Sequence, residues 1–591
     1  MNLEQKIEKF MRKVGFVKDK DVREQLIDRI SKEKEIKAEI SVNKIVSQIK
    51  NGQFKQASLD VTLLARPHLF NNLLNTLRTN LNNLFYTSDL SFQKDFFLFL
   101  VNLTINLKSF LPYWNLQNEN LYSRDVLTKK QIDHQISENQ SLLKKWERDN
   151  STLRKEVIFY LNKTTKERLE SEGIDSDNSQ IAADKIVGDS IDHYLDQMFD
   201  FIEGSNLRKI AEMRDNGSTL TEVGNDYAAH LQEAMWLGAS FVTTNPQLVY
   251  LNLERKLDIS DARIDELIKQ FFNNNQSIKA TDIKEETIEQ LTDIFISEVV
   301  LNNARLLRDV FLLTNGNMGY VCLQVNPSNH GNVDKMLDQA LRIYLYLFRQ
   351  LGGIPNVVFK LPGTKAGLEV AKILTQIGIG VTITVDFGLF QLIPFAKVVN
   401  SDKAIVSHLV LMNGRLAFPV RDELLSLGIP NARKVAQYAG VAVAKKAYKL
   451  LYSKENLGYD PRRVKLLIAS LRNYNNFFPD ITELIGVPII TVFPNIRHQF
   501  DSEPHILSSK SVQNPIDESI LKSLCKSEIF KQAYYLPGDS DVFKPKSVLS
   551  LEKTNEVQNW PPVKATLDGF THAHEMTKKK LQEKMEGIIN F

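Results

Sequence analysis

The sequence predicts an α/β fold: a (β/α)8 TIM barrel over residues 206–591, preceded by a mostly α-helical N-terminal domain over residues 1–205. Three observations predict it. After about residue 206, short apolar runs alternate with helical stretches, and eight such runs can be counted. The runs are nearly continuous in apolar residues, as parallel strands covered on both faces require. Before that point, apolar residues instead recur at helical spacing, with Lys and Glu between them.

The bulk numbers narrow the class. A chain of 591 residues is too long for one ordinary core, and 43% apolar with 25% charged residues is the balance of a soluble globular protein. There are 74 basic and 71 acidic residues, a net charge of +3, so nothing in the charge favours nucleic acid or an anionic membrane as partner. Two cysteines, Cys322 and Cys525, cannot build a disulfide framework; reduced thiols in the cytoplasm are expected. Met1–Lys6 has no apolar signal core. The most apolar stretch, Phe96–Leu103, is broken by Asn102 and followed by Asn106 and Lys108, too short and polar to span a bilayer.

Taken in order, the helical part opens with Ile7, Phe10, Met11 and Val14 on one face, and Leu63, Leu69, Leu73 and Leu77 continue the pattern, with Pro67 as a break. Residues 124–172 are highly charged around apolar positions such as Leu142, Trp146 and Val157, and read as solvated helix faces. His134 is isolated, and no metal cluster, phosphate loop or catalytic constellation is found here. This is a helical accessory domain, with a boundary near Gly204-Ser205 and a second polar loop at Asp215–Ser218. The predicted strands are Thr219–Gly224, Ser240–Thr244, Tyr320–Val325, Asn356–Leu361, Gly380–Phe387, Ala404–Met412, Val464–Ala469 and Val487–Val492. The longest interval, between the second and third, contains a capping-box pattern at Asp282-Ile283-Lys284-Glu285. Leu567–Ile589 reads as a final amphipathic, basic helix covering the barrel.

In such a barrel, chemistry collects where the strands run out at their C-terminal ends. Lys360 sits inside the apolar fourth run, where desolvation lowers an ammonium pKa and favours a nucleophilic amine. The plain alternative is a lysine that snorkels out. The other strand ends offer Asp226, Thr244-Asn245-Pro246, Gln324 with Asn326, Thr382 with Thr384 and Asp386, Asn413-Gly414-Arg415, and Ser470 with Arg472. Asp226 could equally cap a helix over Tyr227–Leu237, Thr244–Pro246 could be a turn, and the two arginines could be surface ion pairs. Together they supply an amine for a Schiff base, a carboxylate for proton transfer, amides and hydroxyls for sugar hydroxyls, and a serine with two arginines for a phosphate.

The motifs Val242-Thr243-Thr244-Asn245-Pro246, Phe359-Lys360-Leu361-Pro362-Gly363-Thr364, Asn413-Gly414-Arg415 and Ile468–Asn473 occur in an order that resembles the transaldolase family of class I aldolases, over about residues 219 to 500. The resemblance implies a barrel whose Schiff-base lysine lies on the fourth strand, where Lys360 falls. It implies Asp226 as general acid/base, with Gln324 and Thr384 completing the catalytic group. Thr244, Asn245 and Thr382 would bind substrate, and Arg415, Ser470 and Arg472 the phosphate. The implied activity is transfer of a dihydroxyacetone unit between sugar phosphates, in carbohydrate metabolism and the pentose phosphate pathway, with no metal or organic cofactor. Homo-oligomerisation is compatible with it.

The sequence also departs from that pattern. Gln324 stands where transaldolases carry a glutamate, and an amide cannot relay a proton. Gln324 and Phe387-Gly388 are similar to the fructose-6-phosphate aldolase branch, which implies simple aldol cleavage as the alternative. Thr382-Ile383-Thr384 replaces an asparagine-containing run, Val410 replaces a serine, and Asp386 is an unusual buried charge in need of a partner. These changes also admit a non-catalytic sugar-phosphate-binding barrel that serves the N-terminal domain.

Overall fold

The computed structural model of the chain describes residues 2–18, 20–109, 127–257, 259–274, 284–400, 403–539 and 544–589. Eight parallel strands close into a barrel in chain order: β1 (Glu222–Asn225), β2 (Ala239–Val242), β3 (Val321–Gln324), β4 (Val357–Pro362), β5 (Val381–Thr384), β6 (Ser407–Met412), β7 (Val464–Ala469) and β8 (Ile489–Val492). β1 pairs with β8 to complete the ring. Every strand residue is buried, because helices cover the outer face and side chains fill the inside.

The strands fall in the runs expected from the sequence, with shifted ends. β1 starts at Glu222 rather than Thr219, because Thr221 is held sideways: its Oγ1 donates to Val487 O (2.8 Å) and accepts from Gly486 N (2.8 Å). β5 stops at Thr384 instead of reaching Phe387, because Val385 adopts a left-handed backbone (φ 56°) that turns the chain out of the sheet. The capping-box pattern at Asp282 lies outside the described residues; the helix it was expected to open runs Glu285–Leu306.

Register fixes what points inward. Gln324 lies opposite Lys360, Lys360 opposite Thr382, and Thr382 opposite His408. Alternation along each strand then brings Cys322 to the interior as well. At the N-terminal end of the barrel, Lys465 forms a buried ion pair with Glu222 and donates to Asn317 O (2.6 Å), while Ser240 Oγ donates to Glu222 Oε2 (3.2 Å). These extra hydrogen bonds are what a buried pair needs to offset its desolvation.

The N-terminal helices follow the sequence signals closely. Asn2 and Thr128 form capping boxes with Gln5 and Gln131, and Asp21, Ser41, Asn150, Asp175 and Ser190 cap further helices. Pro67 occupies the first turn of the helix Pro67–Phe85, separating it from Phe54–Leu64. The helix Val22–Ala38 meets loops that precede barrel strands: Val22 and Leu26 pack on Gly378, and Lys34 Nζ donates to Asn315 Oδ1 (2.7 Å). Glu33 forms an ion pair with Arg308. This part of the helical region therefore lies against the N-terminal face of the barrel, and the helices share one continuous apolar core with it. A second contact reaches higher: buried Glu172 accepts from Arg497 (2.9 Å) and Arg168 (2.8 Å). At Ser205 the chain passes directly from the helix Ile191–Gly204 into Asn206–Asp215.

The last helix, Pro561–Ile589, packs on the helices Pro246–Arg255 and Glu285–Leu306 beside the strand C-termini. Phe570, His574, Thr577 and Leu581, spaced along one face, are all buried. Among the described residues, no helix is long and apolar enough to cross a membrane.

Candidate active site

β4 carries Lys360 into the interior, where the residue is only 4% exposed, so it does not snorkel to solvent. Its Nζ donates to the backbone carbonyl of Thr244 (3.1 Å). Burial pulls its pKa below the ordinary lysine range; the Cys322 thiol and Asp226 carboxylate act against this, and the Arg415 guanidinium adds to it. Beneath it lies a floor of weakly polar groups. Cys322 Sγ is 3.3 Å from Thr382 Oγ1, which is 3.4 Å from His408 Nδ1. The His408 ring packs against Phe241 and Tyr320, and burial drives its pKa well below the usual value, so it is neutral. Burial also pushes the Cys322 thiol up to about 11.

Asp226 follows β1 and is half-buried. It does not cap a helix, because the next helix starts only at Leu231, after His230 in a left-handed conformation. Instead Asp226 Oδ1 accepts from Thr243 Oγ1 (2.6 Å), which lies 2.9 Å from Thr491 Oγ1. The carboxylate is thus held by a hydroxyl pair at the mouth and carries no ion pair among the described residues.

The remaining residues divide. Gln324 is buried beside Lys360, and its Oε1 has no hydrogen-bond partner among the described residues. Thr244 Oγ1 donates to Cys322 O (2.6 Å), and its carbonyl receives Lys360, so it positions the lysine. Asn245 Oδ1 caps the helix Pro246–Arg255 by accepting from Leu248 N (3.0 Å), which leaves its amide NH2 as the group free to turn to a ligand. Thr382 faces Cys322 and His408 in the floor, and buried Thr384 has its Oγ1 4.0 Å from Met412 Sδ. Asp386 is wholly buried and accepts from Gly388 N (3.2 Å); burial pushes its carboxyl well above the ordinary carboxylate range, and it forms no ion pair among the described residues. Val410 is buried in β6 with the parity of His408, so it lines the interior without a hydroxyl.

Arg415, Ser470 and Arg472 converge from two elements. Arg415 is in the helix Asn413–Ser426, and Ser470 and Arg472 follow β7. Gly414 packs on Ser470 O and Arg472 Cγ so closely that a Cβ there would fall 2.3 Å from the oxygen, and Ser470 itself takes φ 60°. Neither guanidinium forms an ion pair among the described residues. Arg415 NH2 donates to Gln247 Oε1 (3.3 Å) and its guanidinium lies 5.4 Å from the Phe570 ring; Arg472 lies 5.5 Å from the Phe418 ring. Burial lowers the Arg415 pKa and the charge of Arg472 lowers it further. Asp480, which accepts from Arg472 N (3.2 Å), is pushed up to about 7 by burial and so does not cancel these charges at lower pH. The two neighbouring guanidiniums, neither in an ion pair among the described residues, put a local positive charge at this edge.

Sequence reasoning placed Thr243 at the second strand end and the final helix over the barrel, but gave no role to Cys322, His408 or His574. Thr243 and Cys322 carried a signal, since each shares inward parity with a chosen neighbour, whereas the approach of His574 depends on tertiary packing. Among the described residues there is no group of three or more His, Cys, Asp or Glu side chains arranged to hold a metal.

The structure thus places a buried lysine of lowered pKa on the fourth strand of a closed eight-stranded barrel, with a carboxylate and two arginines around the mouth. The sequence pattern of the Transaldolase/Fructose-6-phosphate aldolase family matches residues 234–535, just over half of the chain, and the chain belongs to that family. It is 26% identical over 226 residues to a transaldolase of Thiobacillus denitrificans (36% of this chain, 56% of that protein). It is 25% identical over 219 residues to transaldolase 2 of Streptomyces avermitilis (35% and 54%). A transaldolase of Helicobacter pylori is 37% identical over 71 residues (12% and 21%). The chain thus spans about half the length of the first two relatives.

Proposed function

We propose that this protein is a Schiff-base enzyme that moves a dihydroxyacetone unit between sugar phosphates, with Lys360 as nucleophile. The observation that carries the reading is a buried amine with a lowered pKa, held toward the mouth by Thr244 O and flanked by Asp226 and Arg415. The free amine attacks the keto carbon of a ketose phosphate and water leaves to give the iminium. Asp226 then takes the proton from the hydroxyl two carbons away, the carbon–carbon bond breaks, and the electrons flow into the iminium as an enamine. An aldose phosphate accepts the three-carbon unit by the reverse steps. Arg415, Ser470 and Arg472 hold the phosphate; Asn245 and Thr244 line the hydroxyl side; Gln324 and Thr384 position water, and Thr382 shapes the floor. Gln324 supports simple aldol cleavage as the second reading, because an amide positions a water without passing a proton.

We place residues 1–205 as an accessory domain that braces the barrel, and the protein in the cytoplasm, where Cys322 and Cys525, both buried and unbridged, stay reduced. Incubation with fructose 6-phosphate and borohydride, followed by peptide mass spectrometry, tests the mechanism: a reduced adduct on Lys360 is expected. Folded protein without adduct overturns it. Turnover with and without erythrose 4-phosphate then separates transfer from cleavage.

A further inference from the structure

The dehydration step needs a proton donor that Gln324 cannot be. The lysine adds to the carbonyl to give a carbinolamine, whose hydroxyl leaves as water only if it receives a proton. Gln324, directly opposite Lys360, presents an amide there. The final helix brings in another group. His574, 2% exposed, lines a small cavity together with Gln324, Thr244 and Asn245, and Thr244 O is the acceptor of Lys360 Nζ. A carboxylate lies behind the imidazole: its Nε2, without a hydrogen bond among the described residues, is 3.7 Å from Glu289 Oε2 on the helix Glu285–Leu306. Glu289 is itself fixed, accepting from Asn326 Nδ2 (3.2 Å), just past β3, and from Lys578 Nζ (3.3 Å). Burial works against the Glu289 charge, but His574 and Lys578 outweigh it and hold the carboxyl down to about 2, so it is ionised. A buried imidazole at ion-pair distance from a fixed carboxylate can pass a proton, and this one lines a cavity with Gln324, opposite Lys360, and with Thr244, the acceptor of Lys360.

We propose that His574, oriented by Glu289, is the acid–base catalyst for formation and hydrolysis of the Lys360 Schiff base, leaving Asp226 to the carbon–carbon step. In dehydration the imidazolium gives its proton to the carbinolamine hydroxyl, the C–O bond breaks with its electrons leaving as water, and the lysine nitrogen lone pair forms the C=N bond. In hydrolysis neutral His574 takes a proton from the attacking water, the new C–O bond forms, and the C=N electrons return to nitrogen. Gln324 holds the water in both directions. The inference rests on the Schiff-base reading.

The test follows exchange of the fructose 6-phosphate carbonyl oxygen with 18O-labelled water, which reports imine formation and hydrolysis without carbon–carbon cleavage, alongside the rate of borohydride trapping. His574→Gln should slow both by about 10² to 10⁴. Glu289→Gln should slow both less, and added imidazole should partly restore His574→Ala. Near-UV circular dichroism selects folded variants, and Glu289→Gln serves where the His574 variants do not fold. Unchanged exchange in a folded His574→Gln protein overturns the role of His574 while leaving Lys360 intact. No adduct or exchange in the unaltered protein overturns the Schiff-base reading itself.

Discussion

Gln324 stands directly opposite Lys360 across β3 and β4, yet the lysine donates to Thr244 O and the glutamine Oε1 is left unbonded beside it. The amide sets no charge against the amine, and burial is free to lower its pKa. Gln324→Glu places a carboxylate there. An opposite charge within about 4–6 Å raises a lysine pKa by roughly 1–3 units. The pH–rate curve for borohydride trapping should therefore move to higher pH by about one unit or more. A curve that stays in place would show that Gln324 does not face the amine.

Lys360→Met should abolish adduct formation and raise the melting temperature, because it replaces a buried amine having one backbone partner by an apolar chain of similar volume. The sign with pH follows from the lowered pKa. Between the folded value and the ordinary 10.5, the unfolded chain binds a proton that the folded protein does not. Stability of the unaltered protein thus rises with pH across that window. The advantage of the methionine variant, measured by urea unfolding, should shrink as pH rises toward 10.5.

Asp226→Ala should leave the Lys360 adduct in place and slow turnover by about 10² to 10⁴. The carboxylate is gripped by Thr243, so Thr243→Val should produce a smaller loss of the same kind, in kcat more than KM. Equal turnover by the Asp226 variant would move the acid–base role elsewhere.

The barrel was legible because its strands are covered on both faces, so their apolar runs stand out one by one, and because Lys360 interrupts one of them. The strand ends were less so: nothing local in Val385 announces its left-handed turn, and the expected β5 runs three residues too far at its C-terminal end. Asp226 looked like a helix cap because aspartate is a common one; only the late helix start at Leu231 removes that reading. The roles of Thr382 and His408 depend on register between strands some 25 residues apart, and His574 reaches the cavity from the far end of the chain. Such contacts leave no periodic trace.

Arg415 and Arg472 repel one another, and no carboxylate pairs with either among the described residues, so a bound phosphate would relieve both. Each charge-assisted bond contributes about 1.5–3 kcal/mol. Arg472→Ala should raise KM for fructose 6-phosphate by roughly 10- to 100-fold with a small change in kcat, and leave KM for unphosphorylated fructose unaltered. An equal rise for both sugars would mean that the arginine shapes the mouth without holding phosphate.

The N-terminal helices meet the barrel through a buried group of two carboxylates and one ammonium. Lys37 Nζ lies 2.9 Å from Asp309 Oδ1 and 3.9 Å from Asp60 Oδ1, and Gln56 Nε2 donates to Asp60 (2.7 Å) and Asp309 (3.4 Å). Burial raises the Asp309 pKa most; Lys37 opposes this, Asp60 adds to it, and the carboxyl reaches about 8. Asp60 shifts downward and Lys37 upward, so neither titrates between the ordinary carboxylate value of 3.8 and 8. In that window the folded protein holds a proton on Asp309 that the unfolded chain has released. The stability it contributes is full at the acid end and is lost as pH rises through about 8, with a slope of at most ~1.4 kcal/mol per pH unit for one proton. Asp309→Asn mimics the protonated form and removes the slope. Urea unfolding at several points between pH 5 and 8.5 should show the unaltered protein falling relative to the variant by roughly that slope or less. Parallel curves would place the proton elsewhere in the group.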